Sequence, residues 1–111
     1  MRLITVVVRP SLFDTIKDAL ALFGVRGMTV EQVHRVGQNT GHVQIYRGQR
    51  FTMTAQPYVK IDLLVPEPEL PDLTRVIHKI LSSHGSDGAV WTSRVDLVVR
   101  VRTSEHGLDA L

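Results

Sequence analysis

The chain has 111 residues, of which 43% are hydrophobic and 22% charged, fractions that fit one folded globular domain and exclude a disordered chain. It contains no cysteine, which excludes disulfides, thiolate metal sites and a cysteine nucleophile. With 13 Lys and Arg against 11 Asp and Glu the net charge is +2, so the composition does not indicate a nucleic-acid-binding surface.

The first predicted element is a strand over residues 2–9, RLITVVVR, which is rich in β-branched residues and nearly continuous in hydrophobicity. Such a run is typical of a strand in the middle of a sheet. Its apolar part, residues 3–8, is too short for a membrane span or for the core of a secretion signal. We therefore expect a cytoplasmic protein that is not itself a membrane protein.

A helix and a second strand are predicted next. The helix begins at Ser11, a favoured N-cap residue that Asp14 supports, and it ends at Gly24. The apolar residues that recur at helical spacing are Leu12, Phe13, Ile16, Ala19, Leu20 and Phe23. Residues 28–36, MTVEQVHRV, predict the strand, and Gly37 marks its end.

Residues 37–57, GQNTGHVQIYRGQRFTMTAQP, combine turn residues and scattered polar groups with no sustained period. Such a segment is either a functional loop or a sign that the elements were misassigned, and we predict a long mobile loop. Residues 43–46 and 51–54 favour a short hairpin within it, joined through Arg47 and Gly48.

Residues 58–65, YVKIDLLV, alternate in polarity and predict a third strand. One face of it carries Val59, Ile61, Leu63 and Val65, and the other carries Tyr58, Lys60 and Asp62. A second amphipathic helix follows, and Asp72 favours its start. Its apolar stripe consists of Leu70, Leu73, Val76, Ile77, Ile80 and Leu81.

A glycine turn over residues 85–88, GSDG, precedes the last strand pattern, which covers residues 90–92 and 95–103. Alternation places Arg100 and Arg102 on one face of that strand. Backbone N–H groups of a glycine turn can line an anion pocket, and guanidinium groups bind phosphate. The pattern indicates a phosphate site, while a plain turn and a solvated face remain the alternatives.

The element order is β-α-β-β-α-β, the ferredoxin-like pattern of an α+β sandwich. We expect a single domain over residues 1–111, with an antiparallel sheet and both helices on one of its faces. The other face must then be solvated or buried by another subunit.

The histidines and serines form no catalytic or metal-binding pattern. The five histidines show no metal-ligand spacing, and the serines near His84 lack a nucleophile elbow. Tyr58 and Trp91 are too few aromatic residues for an RNA-recognition sheet, and we interpret Trp91 as a packing residue. We predict no catalytic residues, no metal site and no nucleic-acid partner.

Several separated segments of the chain together resemble those of a known protein family. They are the first strand through RP at 9–10, GVRGMTVEQV at 24–33, GHVQIYRG at 41–48, the VKI of the third strand, GSDGAVW at 85–91 and VRVRTSEHGLDAL at 99–111. In this order and spacing they resemble the PII signal-transduction proteins. The resemblance implies a homotrimer that binds adenine nucleotides in clefts between subunits.

The resemblance also implies a site shared by two subunits. The turn at 85–88 would hold phosphates, and Arg100 and Arg102 would reach it across the interface. Thr29 and Asp62 would lie near the adenine. The implied nucleotide-binding set is Val7, Thr29, Gly37, Gln38, Asp62, Leu64, Gly85, Ser86, Asp87, Gly88, Ala89, Arg100 and Arg102.

Some positions depart from the PII pattern. Ala89 stands where lysine is typical, so one phosphate-directed cation is absent and the preference would shift from ATP toward ADP or AMP. Gln38 and Asn39 replace the usual Arg and Gln, and Tyr58 replaces a usual Lys. Those positions help hold Mg-ATP and 2-oxoglutarate in typical members, so the substitutions argue against typical 2-oxoglutarate sensing.

Four positions are assigned to the effector site and the loop: Asn39, Tyr46, Phe51 and Tyr58. Phe51 takes the place of the tyrosine that some relatives modify by nucleotidyl transfer, and it has no hydroxyl. Tyr46 keeps a hydroxyl but resembles a different tyrosine of the loop.

The resemblance implies a regulatory protein, not an enzyme. It would bind ADP, AMP or ATP, the last with Mg²⁺, and control a transporter or metabolic enzyme through its loop, in nitrogen or carbon metabolism. Three alternatives stay open: a small nucleotide hydrolase that uses the same cleft, a nitrogen-regulatory PII with an ordinary Mg-ATP response, and a purely structural trimer.

Overall fold

The computed structural model describes residues 1–38, 44–46, 49–51 and 53–110. In chain order the strands are β1 (Arg2–Val8), β2 (Thr29–Gln38), β3 (Gln44–Tyr46), β4 (Gln49–Phe51), β5 (Met53–Val65) and β6 (Ala89–Arg94). The helices are α1 (Phe13–Phe23) and α2 (Leu70–Ser83). The main sheet is antiparallel in the order β2-β5-β1-β6, and β3 pairs with β4 as a separate hairpin. The predicted β-α-β-β-α-β order and ferredoxin-like fold are confirmed.

Strand β1 lies in the middle of the sheet because it is apolar on both faces. Its residues pair with β5 on one side and with β6 on the other. Ile4, Val6 and Val8 are fully buried toward the helices, while Thr5 and Val7 are buried on the opposite face. This explains the nearly continuous hydrophobicity of the segment.

The core lies between the sheet and the two helices. Helix residues with the predicted spacing pack against the apolar faces of β1 and β5. The buried core residues are Ile4, Val6, Val8, Ile16, Leu20, Val59, Ile61, Leu63, Val65, Leu73, Ile77 and Leu81. Burial of each such Ile or Leu side chain stabilises the fold by roughly 1.5–3 kcal/mol. None of the described helices is long and apolar enough to cross a membrane.

Helix α1 begins differently from the prediction. A short 3-10 turn occupies Pro10–Leu12, and Leu12 is the N-cap of α1, without a side-chain capping hydrogen bond. Ser11 therefore does not cap the helix, because it lies inside this turn. The predicted end is confirmed, since Gly24 has a left-handed φ of 103° and donates its N–H to the last turn of α1.

The predicted strand over residues 95–103 is wrong. The register of β1 with β6 ends at the pair Arg2–Arg94, and no further strand of the described chain lies beside the residues that follow. The chain turns back on itself instead, as the Arg100 N–H donates to the Glu105 carbonyl and the Ser104 N–H to the Arg100 carbonyl, both at 2.7 Å. Arg100 and Arg102 consequently do not share a strand face.

Strands β2 and β5 extend into the segment predicted as a loop. Gly37 pairs with Thr54 and Gln38 with Met53, so the ends of residues 37–57 belong to the main sheet. The hairpin is present, but its second strand lies at Gln49–Phe51 instead of 51–54. We call residues 36–55 the arm; Asn39, Arg47 and Gly48 lie outside its described part.

Candidate functional site

The sheet has an open face, opposite the helices, which carries Thr5, Val7, Tyr58, Lys60 and Asp62. The predicted nucleotide-binding residues fall into two groups toward opposite ends of the sheet. Thr29, Asp62, Leu64 and Arg100 line a large cavity of about 760 Å³ near the start of β1. Val7, Gly37, Gln38 and the turn residues Gly85, Ser86, Asp87, Gly88 and Ala89 lie toward the end of β1 or at the arm. Along β5, Leu64 of the first group and Tyr58, which contacts the turn residue Asp87, are about 20 Å apart at the usual rise of a strand.

Asp62 is held in one orientation inside the large cavity. Its Oδ1 accepts a hydrogen bond of 2.6 Å from Thr5 Oγ1, and its Oδ2 lies 3.8 Å from Lys60 Nζ. Thr5 is only 2% exposed, so its hydroxyl has little access to water. The carboxylate therefore presents a fixed acceptor to the cavity, beside Thr29.

The C-terminal segment closes one side of the large cavity and holds Arg100. Arg100 Nε donates to the Ala110 carbonyl at 3.1 Å, and Leu108 and Ala110 line the same cavity. Arg102 lies in the turn that follows Arg100 and is exposed. The structure thus brings Arg100 to the cavity and leaves Arg102 outside its lining.

The turn after α2 is packed tightly against the end of β1. A Cβ on Gly88 would lie 2.8 Å from the Val7 carbonyl oxygen, and Gly85 has a φ of 59°, so both positions require glycine. Three N–H groups are used within the chain: Gly85 donates to Ser82 O, Ser86 to Leu81 O and Gly88 to Ser86 Oγ. In this structure, acceptors of the chain itself therefore occupy these three amides of the turn.

Asp87 lies at the centre of a polar cluster that joins this turn to the sheet. Its carboxylate accepts hydrogen bonds from Arg9 Nε and Nη2, both at 3.3 Å, and from the Tyr58 hydroxyl at 2.8 Å. Its carbonyl oxygen accepts one from Arg35 Nη1 at 2.9 Å. We call Arg9, Arg35, Tyr58 and Asp87 the Asp87 cluster.

The electrostatics of the cluster follow from these contacts. The hydrogen bond from Tyr58, and then Arg9, hold the pKa of Asp87 below its ordinary value, against the effect of burial. Burial and the bond to Asp87 raise the pKa of Tyr58. The Arg9 and Arg35 guanidinium carbons lie 5.7 and 5.4 Å from the centre of the Tyr58 ring, within the range of cation–π attraction.

A smaller cavity of about 320 Å³ opens on the same face beside the cluster. It is lined by Val7, Val33, His34, Arg35, Lys60, Ala89 and Trp91. Trp91 is 49% exposed, so the interpretation of Trp91 as a packing residue does not hold within one chain. Its ring forms part of the cavity wall instead.

Arg9 and Arg35 were not among the predicted site residues. Alternation along β2 is the signal that was available, because it places Arg35 on the same face as Val33, which pairs with Tyr58. Of the predicted effector residues, Tyr58 joins the Asp87 cluster, while Tyr46 and Phe51 lie in the hairpin. Asn39 lies outside the described residues.

Comparisons with known proteins agree over the whole chain. A family model described as Nitrogen regulatory protein P-II matches residues 1–105. The chain is 30% identical over 112 residues to nitrogen regulatory protein GlnK of Escherichia coli (strain K12), with both chains fully covered. It is 36% identical over 115 residues to nitrogen regulatory protein P-II 1 of Methanothermobacter thermautotrophicus, covering 100% of this chain and 97% of that protein.

Solved structures give the same result. The structure of B. subtilis GlnK superposes with a TM-score of 0.79 at 26% identity, covering 99% of this chain and 97% of that one. A structure of the B. subtilis GlnK-ATP complex shares the fold, with a TM-score of 0.78 at 23% identity over 99% of this chain and 96% of that one. By its sequence and its ferredoxin-like fold, this chain belongs to the nitrogen regulatory protein P-II family.

Proposed function

We propose that this protein is a P-II-type regulator that binds an adenine nucleotide between the subunits of a homotrimer. The carrying observation is that the predicted binding residues form two groups on one chain, one lining the large cavity and one at the glycine turn. The large cavity holds Asp62 and Arg100, and the glycine turn lies toward the opposite end of the sheet. A single nucleotide can contact both groups when they come from neighbouring subunits.

The surface of the chain favours such an assembly. Trp91 is half-exposed beside the smaller cavity on the open face, and Val99 and Leu97 in the C-terminal segment are 52% and 63% exposed. Apolar side chains of this size gain roughly 25 cal/mol for each Å² that an interface removes from water. A neighbouring subunit on the open face would cover the sheet and complete the site at the same time.

The ligand class follows from the groups at each end. The Asp62 carboxylate and the Thr29 side chain can bind polar groups of a nucleoside, and the Arg100 guanidinium can bind phosphate. The B. subtilis GlnK structure with this fold was solved with ATP. We propose ADP, AMP or ATP as the ligand, with Mg²⁺ accompanying ATP through its phosphate oxygens.

We further propose that the protein signals and does not turn its ligand over. Asp87, the carboxylate of the glycine turn, is held by Arg9 and Tyr58 and has a lowered pKa, which makes it a poor base. A target, either a transporter or a metabolic enzyme, would contact the arm, whose base is formed by β2 and β5. A hydrolase in the same cleft is the alternative.

Calorimetry and sedimentation test the proposal together. We expect a trimer that binds at least one of ATP, ADP and AMP, and we expect Arg100→Ala to weaken binding about tenfold through the loss of a charged hydrogen bond. Arg75→Ala is the matched control, because Arg75 is exposed on α2 and pairs with Asp72. A monomer, or unchanged affinity in Arg100→Ala, would refute the shared site.

Two further measurements separate the alternatives. The steady-state rate of phosphate release from ATP should equal the rate in buffer alone. A faster rate that is lost on mutation of Asp87 would identify a hydrolase. Titration of 2-oxoglutarate with Mg-ATP should give no tight binding, because the Tyr58 hydroxyl is engaged by Asp87. Tight binding would favour a PII with the ordinary Mg-ATP response.

A further inference from the structure

Arg35 is the cation of the Asp87 cluster that has no acidic partner within the described residues. Asp87 supplies one carboxylate to the cluster, and that carboxylate forms its ion pair with Arg9. Arg35 contacts the turn only through the neutral carbonyl of Asp87. The cluster therefore has two guanidinium groups and a single carboxylate, and the excess positive charge is located on Arg35.

The position of Arg35 makes this charge available to a ligand. Its side chain is exposed, and it lines the smaller cavity together with Val7 and Ala89. Ala89 directly follows the glycine turn and contributes no charge. Nη1 of Arg35 donates a hydrogen bond to the Asp87 carbonyl. The guanidinium group has further N–H donors in the same plane.

We propose that Arg35 is a phosphate-binding residue that selects nucleotides with more than one phosphate. The inference rests on the proposed function, because it adds a phosphate-binding side chain to the same site, at the end formed by the glycine turn. Arg35 would keep its bond to the Asp87 carbonyl and direct its remaining N–H groups at phosphate oxygens that lie over the turn. A planar guanidinium fork matches phosphate geometry and strengthens as the charge of the ligand increases.

The Asp87 carboxylate also affects the binding of phosphate. This carboxylate belongs to the glycine turn, and its negative charge repels phosphate. Arg9 neutralises that charge through two hydrogen bonds. Arg35 is consequently the group whose charge decides whether the turn attracts or repels a polyphosphate. In a variant that lacks the Arg35 charge, the preference of the protein for ATP or ADP over adenosine should fall.

Calorimetric titration with ATP, ADP, AMP and adenosine tests the role of Arg35. Arg35→Gln and Arg35→Ala both remove the charge and the bond to the Asp87 carbonyl, because the Gln side chain ends two bonds short of Arg35 Nη1, so adenosine serves as the control for an effect on the turn alone. We expect Arg35→Gln and Arg35→Ala to bind ATP and ADP about tenfold more weakly than the wild type and adenosine equally well. Arg75→Ala should behave as the wild type, because Arg75 pairs with Asp72 on the surface of α2.

Each other result contradicts the inference. Equal losses for ATP and adenosine would mean that Arg35 only holds the turn in place. Unchanged ATP affinity in both variants would exclude Arg35 from the site while the proposed function stands. A wild-type protein that binds none of the four ligands would refute the proposed function, and the inference with it.

Discussion

The Tyr58 hydroxyl donates a hydrogen bond of 2.8 Å to the Asp87 carboxylate. This bond joins the turn after α2 to strand β5 at the base of the arm, between residues 29 positions apart in sequence. Tyr58 is 4% exposed, whereas about half of the Asp87 side chain is exposed. A contact between a buried donor and a half-exposed carboxylate links the proposed phosphate end of the site to the arm.

Loss of the Tyr58 hydroxyl should destabilise the protein modestly. We expect Tyr58→Phe to lower the free energy of unfolding by about 1 kcal/mol, because water can replace the lost donor at the exposed side of Asp87. Urea denaturation of the wild type, Tyr58→Phe, Asp87→Asn and the double variant measures the coupling between the two residues. Strictly additive losses would mean that the bond contributes nothing.

The same contact predicts a pH dependence. Because the pKa of Asp87 is lower in the folded state than its ordinary 3.8, the unfolded state binds the proton more readily. Its contribution to stability is present at neutral pH and should be lost as the pH falls from about 5 through the folded-state pKa. Asp87→Asn should therefore show a flatter loss of stability in acid. Carboxyl NMR titration of Tyr58→Phe should show the Asp87 pKa moving up toward 3.8.

Gly88 should tolerate no side chain. Its Cβ would lie 2.8 Å from the Val7 carbonyl oxygen and 3.2 Å from Leu81 Cδ2, so Gly88→Ala should destabilise the fold by about 1–3 kcal/mol. Gly27→Ala is the control, because a Cβ there meets nothing within 4 Å. A thermal melt of the two variants gives the comparison, and equal midpoints would contradict the packing argument.

Thr5 should act by positioning Asp62. Thr5→Val keeps the shape of the side chain and removes the hydroxyl that donates to Asp62 at 2.6 Å, so we expect a loss of roughly 1.5–3 kcal/mol in stability. Nucleotide affinity should fall as well, since Asp62 would lose its fixed orientation. Thr92→Val, at an exposed position of β6, is the matched control. Wild-type stability and affinity in Thr5→Val would exclude this role.

Much of the fold could be predicted because the apolar residues follow the periods of strands and helices. Val59, Ile61, Leu63 and Val65 alternate in sequence, and all are buried against the helices. The pattern failed at residues 95–103, where alternation is equally clear but no strand of the described chain lies alongside. Periodicity describes the faces of a segment, and it does not say whether a neighbouring strand is present.

The candidate site was harder to predict than the fold. Arg9 and Arg35 reach Asp87 across sequence separations of 78 and 52 residues, and such contacts leave no local pattern. The resemblance to PII proteins placed Asp87 in the phosphate turn, but the partners of its carboxylate depend on tertiary packing. Tyr58 was assigned to the effector site and the loop, and its hydrogen bond to Asp87 likewise leaves no local pattern in the sequence.

The close approach of Gly88 to β1 also limits which parts of the molecule can respond to a ligand. With 2.8 Å between a Cβ at this position and the Val7 carbonyl, the turn has no space to retreat into the sheet. A ligand that contacts Asp87 can rotate its half-exposed side chain, but the backbone of the turn cannot move toward β1. The turn is therefore the fixed side of the contact between Tyr58 and Asp87, and backbone movement at this contact would occur in β5, which continues into the arm.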